Sequence, residues 1–153
     1  MKTFTNTFQV KASLQAVAEF HSSTTALKKL TPFPVVVQIH HLEPLAEGSM
    51  AEFTMWFGPS PVRWVAQHVQ VDPLNGFTDV QTAGPMLLWE HTHSFRAISE
   101  QVTEIRDYIE YAYRPGIKYF WTRLLYAPIM LRFLFWYRAF VTKQVAQNNR
   151  KSS

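Results

Sequence analysis

Apolar and polar residues alternate along most of the first 116 positions of the chain, and the alternation stops after them. A two-residue period marks a strand with one covered face, because successive side chains point to opposite sides of a pleated sheet. Thr3–Val10 has this period, with Phe4, Phe8 and Val10 on one side. Ser13–Phe20 instead carries Leu14, Val17, Ala18 and His21 at helical spacing. Ser22 or Ser23 stands where it could cap a second short helix through Leu27 and Leu30, which Pro32 and Pro34 end. Six more strands follow: Val35–His41, Met50–Phe57, Val62–Val71, Phe77–Thr82, Met86–Ala97 and Val102–Tyr113. Turn-forming residues separate them, among them Glu43-Pro44, Glu47-Gly48, Gly58-Pro59-Ser60-Pro61, Asp72-Pro73-Leu74-Asn75-Gly76 and Gly84-Pro85.

Pro115-Gly116 closes the last strand, and Ile117–Gln147 has neither alternation nor glycine. It reads as one long helix, broken or kinked near Pro128. The order of elements predicts an α+β fold of the helix-grip kind. A curved antiparallel sheet of about six to seven strands is covered by the long C-terminal helix, with two short helices after the first strand plugging one end. No repeat or interdomain linker divides the 153 residues, a length that can bury a real core in one domain.

Composition narrows the function. Apolar residues make up 47% and aromatic residues 15%, which excludes a disordered chain. With no cysteine, disulfides, thiolate nucleophiles and Cys-based zinc sites are impossible. The N-terminal MKTFTNTFQV lacks the apolar run of a signal peptide, so a cytoplasmic location is expected. Charge is unevenly placed. Residues 1–110 hold 7 Lys/Arg and 11 Asp/Glu, whereas residues 111–153 hold 8 Lys/Arg and no acid. Such a segment suits an acidic ligand, an anionic membrane or nucleic acid, or it docks on the acidic remainder of its own domain, the reading its apolar content favours. Nucleic acid is not expected, because no strand platform offers a basic, aromatic face.

The stretch 119–141 is almost membrane-like, but Arg123, Arg132 and Arg138 interrupt it. Its longest uncharged run, Leu124–Leu131, is 8 residues, far short of the ~20 that a span needs. At helical spacing the three arginines do not share a face, which argues against an interfacial helix. The expectation is a helix buried against the sheet, its arginines reaching out at the flanks.

Candidate chemistry gathers on the last hairpin. Leu87, Trp89, His91, His93 and Phe95 share one strand face. On the partner strand Ile105, Asp107, Ile109, Tyr111 and Tyr113 do the same, and Asp107 is the only charge among them. If these faces pair, Asp107 lies across from His91 or His93, which requires an odd-length loop or a bulge near Ser99. A carboxylate there would fix an imidazole tautomer and raise its pKa, as a catalytic base needs. Two histidines at i and i+2 could also chelate a metal with His68 or Asp107 as third ligand. The third possibility is a buried polar network that satisfies itself or orients a ligand. Trp64 and His68 share a face with Ala66, and His40-His41 reads as an exposed strand end. No phosphate loop, Gly-x-Ser-x-Gly elbow or His-Glu-x-x-His is present.

Gly84-Pro85-Met86-Leu87-Leu88-Trp89-Glu90-His91-Thr92-His93-Ser94-Phe95 resembles the G-P-F-x-x-W-x-H-x-H-x-F stretch of some bacterial SRPBCC proteins, which are START-like and polyketide cyclase-like. Met86 stands where that pattern has Phe. Thr103–Gly116, with Asp107, Glu110-Tyr111 and Pro115-Gly116, is similar to the strand that follows it in that group, and Arg63–His68 and Phe135–Arg138 are also similar. The resemblance runs from Thr31 to Arg138 and implies a helix-grip domain with an apolar cavity; one such domain is expected over 1–148, before a polar tail at 149–153. The expected ligand is a small hydrophobic molecule (a lipid, polyketide, isoprenoid or aromatic metabolite), held between sheet and helix without cofactor or metal. The expected lining is Trp64, His68, Trp89, His91, His93, Asp107, Tyr111, Phe120, Leu124 and Phe133. Two other functions stay open. One is a cyclase- or aromatase-like enzyme using His91 or His93 with Asp107 as acid and base. The other is a peripheral membrane or partner-binding module acting through the basic aromatic C-terminal helix.

Overall fold

The computed structural model describes residues 1–23 and 25–151, with side chains up to 146. Its elements are β1 (Lys2–Val10), α1 (Leu14–Ser22), α2 (Ala26–Lys29), β2 (Val36–Leu42), β3 (Met50–Phe57), β4 (Ser60–Asp72), β5 (Gly76–Ala83), β6 (Met86–Ser99) and β7 (Val102–Tyr113). A 3-10 turn at Ile117–Tyr119, α3 (Phe120–Leu125) and α4 (Pro128–Lys151) complete the chain. All seven strands form one antiparallel sheet in the order β1-β7-β6-β5-β4-β3-β2. The two edge strands are therefore consecutive in sequence. The connection that carries the chain between them holds α1 and α2, and α4 packs on the sheet beside β1.

Local chemistry explains most boundaries. The Ser13 hydroxyl oxygen accepts from the Ala16 N–H at 3.3 Å and caps α1. The expected cap of α2 is corrected: the cap position is Thr25, with no side-chain bond to the helix, and the Ser23 hydroxyl instead lies 3.1 Å from that of Thr25. Asp72 Oδ1 accepts from the Leu74 and Asn75 N–H groups, both at 2.9 Å, and folds the β4–β5 turn. Pro128 opens α4, where a missing N–H costs nothing, and the helical segments on its two sides are bent by 45°.

Two register shifts decide what faces inward. One lies between Ala97 and Ser99 and supplies the extra residue that sets His93 opposite Asp107 and His91 opposite Ile109. The other lies between Met86 and Leu88 and corrects the expected face of β6: Met86 takes the buried position and Leu87 is exposed. A one-residue slip moves a side chain to the other face.

α4 covers the sheet with one side only. Leu131, Phe135 and Thr142 are buried, and the Phe135 ring lies 5.3 Å from both Phe4 and His91. Ile129, Phe133, Trp136 and Phe140 on its other side are exposed, which corrects the fully buried helix expected. The basic segment packs on the rest of the domain as expected, but through apolar side chains rather than ion pairs. Among the described residues, the Lys and Arg ion pairs are Arg63–Glu52 and Arg96–Glu104, and none involves a residue after 110. α4 runs on through Lys151, past the expected boundary at 148; the last two positions of the expected tail, Ser152 and Ser153, lie outside the described residues.

These placements make opposite demands on two neighbouring phenylalanines. Phe135→Ala is expected to lower the unfolding free energy by about 3–5 kcal/mol. Phe133→Ala should change it by no more than about 0.5 kcal/mol. Urea denaturation reads both, and equal losses would contradict the one-sided packing of α4.

Candidate functional site

Between the sheet and α4, at the end closed by α1 and α2, lies a cavity of about 190 Å³. Its walls differ in character. One is aromatic: Phe53, Trp64 and Trp89, with the two Trp rings edge to face at 5.5 Å and Tyr126 against both. Ala51 and Ala66 leave space in front of it. The other wall is polar, formed by His21, His68, Asp79, His91, His93 and Arg138. A second hollow of about 370 Å³, near α1 and residues 142–146 of α4, has no titratable side chain in its lining among the described residues.

The polar wall is a cross-strand ladder. Four neighbouring strands contribute His68 (β4), Asp79 (β5), His91 and His93 (β6) and Asp107 (β7). The register sets His68 beside Asp79, Asp79 beside His91 and His93 beside Asp107. Close approach of β5 to β6 depends on Gly76, at φ 130°: a Cβ there would stand 1.9 Å from the His93 carbonyl oxygen.

The side chains form a continuous chain of contacts. Ser49 Oγ–H donates to the Ala46 carbonyl at 2.8 Å, so His68 Nδ1–H donates to Ser49 Oγ at 2.9 Å. His68 Nε2 lies 3.1 Å from Asp79 Oδ1, and His93 Nε2–H donates to Asp79 Oδ2 at 3.2 Å. His93 Nδ1 is 3.1 Å from Asp107 Oδ1, close enough for an ion pair but too poorly aligned for a hydrogen bond. His91 Nε2–H donates to that same oxygen at 3.0 Å. The His91 and His93 ring centres lie 3.9 Å apart, the rings tilted by 46°. From α1, His21 Nδ1–H donates to the Val17 carbonyl at 2.9 Å, and its ring stands 6.2 Å from that of His93.

Charge settles unevenly over this set. Burial pushes the His93 imidazolium toward losing its proton, but Asp107 and Asp79 reverse this and raise its pKa to about 9. Burial and then the charge of His93 lower His91 to about 4, against the pull of Asp107. His21 falls to about 4 for the same two reasons. Burial opposes ionisation of Asp79 and Asp107, yet their histidine partners hold both carboxyls well below the usual range. His68 is raised: burial works against its charge, and Asp79 outweighs it. At neutral pH the wall is thus His93⁺ between two carboxylates, with neutral His91 and His21 beside it. The His91 proton on Nε2 leaves its lone pair on Nδ1.

Asp79, His91 and His93 bring ligand atoms within 4.8 Å of one another, so Asp79, rather than His68 or Asp107, is the third member of the candidate metal set. A divalent ion would have to displace the protons that His91 and His93 share with the carboxylates.

Of the residues singled out from the sequence, Trp64, His68, Trp89, His91 and His93 line the cavity. Asp107 stands directly behind the two histidines, and Tyr111 is buried behind Trp89, their rings 6.1 Å apart. Phe120, Leu124 and Phe133 are corrected: they are exposed and turn away from the cavity, because α3 and α4 present Tyr126, Leu134 and Arg138 to it instead. His40 and His41 are both exposed, and His40 bonds Thr54 at 2.8 Å. Sequence reasoning missed Asp79 and Arg138 and did not assign His21 to the site. The signal for Asp79 was its place in the alternation Phe77, Asp79, Gln81, the one charge on a short strand.

No family model matches the chain, and no curated protein matches it. Solved structures do. Protein CV1439 from Chromobacterium violaceum superposes with a TM-score of 0.76 at 11% identity, covering 95% of this chain and 98% of that one. A START superfamily protein from Mycobacterium smegmatis gives 0.69 at 11% identity, with 95% and 97% covered. The Zhui aromatase/cyclase from Streptomyces sp. R1128 gives 0.67 at 12% identity, with 98% and 93% covered. The chain has the START-like helix-grip fold expected from its sequence.

The network has a sign-dependent effect on stability. His93, raised from 6.5 to about 9, stabilises the fold fully below pH 6.5, and this contribution is lost as pH climbs to 9. His91 and His21, lowered to about 4, act oppositely and remove stability as pH falls from 6.5 to 4. Unfolding free energy should peak near pH 6.5 and fall on the order of 3 kcal/mol by pH 9. His93→Gln should flatten the alkaline arm. An alkaline arm that is the same in both proteins would contradict the charge assignment.

Proposed function

We propose that the chain binds a compact, mainly aromatic small molecule, its flat body against Trp64 and Trp89 and its oxygen substituents turned toward His91 and Arg138. One observation carries this reading: a single cavity joins an aromatic wall to a charged network. Pockets for drug-sized ligands run to about 300–1,000 Å³. At about 190 Å³ this cavity favours an aromatic metabolite over a long-chain lipid or an extended polyketide. Arg138 Nε is buried without an acceptor among the described residues, so a ligand carbonyl, carboxylate or phenolate would satisfy it. The His91 lone pair suits a ligand hydroxyl. The likeness to an aromatase/cyclase is consistent with a ligand of this kind.

A second reading, acid/base catalysis, is favoured by one observation: a protonated and a neutral imidazole lie with ring centres 3.9 Å apart at the cavity wall. General acids and bases work best with a pKa near the operating pH. With pKa values of about 9 and about 4, His93 holds its proton and His91 accepts one poorly, so binding is the stronger reading.

Native mass spectrometry of the purified protein, followed by denaturing extraction, is expected to release a small aromatic compound. Titration of the stripped protein with that compound, followed by Trp fluorescence, should show at least tenfold weaker binding for His91→Ala and for Arg138→Leu, each still folded. His93→Ala is different: it removes the imidazolium shared by Asp79 and Asp107, leaving the buried Asp107 with a neutral His91 and the half-buried Asp79 with His68, and should cost about 3 kcal/mol of stability. Binding unchanged in both His91→Ala and Arg138→Leu would sink the proposed pose, and turnover of the compound would move the assignment to the enzyme reading.

A further inference from the structure

A helix packed on a sheet normally turns a polar face to water. α4 does not. At 100° per residue, Ile129, Phe133, Trp136 and Phe140 fall within a stripe roughly 60° wide. Leu131, Phe135 and Thr142, all buried, lie on the opposite side. The stripe is open to solvent: Ile129 is 68% and Trp136 63% exposed. Its rings stack in sequence, Phe133 on Trp136 and Trp136 on Phe140, each pair 6.1 Å apart. α3 and the turn before it add Ile117 at 90%, Leu124 at 70% and Phe120, also exposed. Single exposed apolar residues are ordinary, but a row of aromatics along one helix face marks an interaction surface.

The charge around this face says what it meets. Lys118, Arg123, Arg132 and Lys143 are exposed, and none is within ion-pairing distance of a carboxylate among the described residues. Lys118, Arg123 and Lys143 lie over the rings of Tyr119, Tyr113 and Phe8 at 5.0, 6.0 and 5.8 Å, which leaves their charges unneutralised. Segment 111–153 contains no acid at all. A second copy of the chain, meeting this face through the same face, would bring like charge against like charge. No single helix is long and apolar enough to cross a membrane; the bent pair Ile117–Leu125 and Pro128–Ala146 passes by length and composition together, but α4 commits Leu131, Phe135 and Thr142 to the core of the domain, which leaves its outer row to lie on a surface. The spread of arginines that argued against an interfacial helix also resolves: Arg138 belongs to the cavity side, while Arg132 and Lys143 edge the exposed stripe.

We propose that the exposed face of α3 and α4 docks on an anionic lipid bilayer, with Phe133, Trp136 and Phe140 at the headgroup level and the surrounding Lys and Arg side chains on lipid phosphates. Aromatic side chains favour that depth, and basic residues gain from the negative surface potential there. The inner face of the same helix carries Leu134 and Arg138 of the cavity wall. Docking therefore sets the cavity one helix away from the bilayer, and it does not depend on which ligand the cavity holds.

Flotation of the full chain with vesicles tests this. Vesicles of phosphatidylcholine with phosphatidylserine should carry the protein upward, phosphatidylcholine alone should carry little, and binding should weaken as salt rises. Trp136→Ser/Phe140→Ser and Arg132→Glu/Lys143→Glu should each lose at least tenfold in vesicle affinity while keeping the wild-type melting temperature, since both pairs lie outside the core. Absence of wild-type binding to anionic vesicles overturns the proposal, as does equal binding by both variants. A self-association in sedimentation that Trp136→Ser/Phe140→Ser abolishes, without any vesicle binding, would assign the face to a second copy instead.

Discussion

Two carboxylates, the buried Asp107 and the half-buried Asp79, sit on the sheet's covered face, and an uncompensated buried carboxylate costs several kcal/mol. His93 answers both, one ring nitrogen to each. Much of the surrounding structure serves that contact. The shift between Ala97 and Ser99 sets β6 and β7 in the register that brings Asp107 opposite His93. Gly76 lets β5 approach the His93 backbone, and so lets Asp79 reach its ring. Burial, reinforced by the charge held on His93, keeps His91 and His21 neutral. One imidazolium thereby adds to the effect of burial on its neighbours and sets the polarity that the cavity offers a ligand.

The cavity and the outer helix face are two consequences of one economy of elements. A seven-stranded sheet closed at one end by α1 and α2 leaves α4 as the single long cover, so that helix must both seal the core and form a cavity wall. Its inner face does this with Leu131, Phe135 and Arg138. Its outer face has no structural duty, yet it is apolar, aromatic and basic. Stability alone does not call for Trp and Phe side chains there, which is why the face reads as a surface for a partner rather than as part of the fold.

The strand alternation made the sheet legible, because one covered face imposes a strict period of two. The same rule set Trp89, His91 and His93 together and singled out Asp107 on the partner strand. Three things were not legible. Leu87 fell on the wrong side because a bulge beside Met86 breaks the period, and no local residue signals it. Asp79 reaches the histidines only through the β5–β6 pairing, which the order of residues does not specify. The lining expected from Phe120, Leu124 and Phe133 failed for a different reason: a helix apolar on both faces has no dominant direction, so periodicity cannot say which face is buried. Structural likeness at 11–12% identity establishes the fold and leaves the chemistry to the site itself.

The central claim is that His93 is an imidazolium held between Asp79 and Asp107. Nitrogen-15 NMR of the histidine side chains across pH 6 to 10 tests it directly. The account predicts that both His93 ring nitrogens are protonated at pH 7.5 and titrate together near pH 9, with His91 neutral throughout that range. A neutral His93 at pH 7.5, with one bare nitrogen and a titration near 6.5, would contradict it.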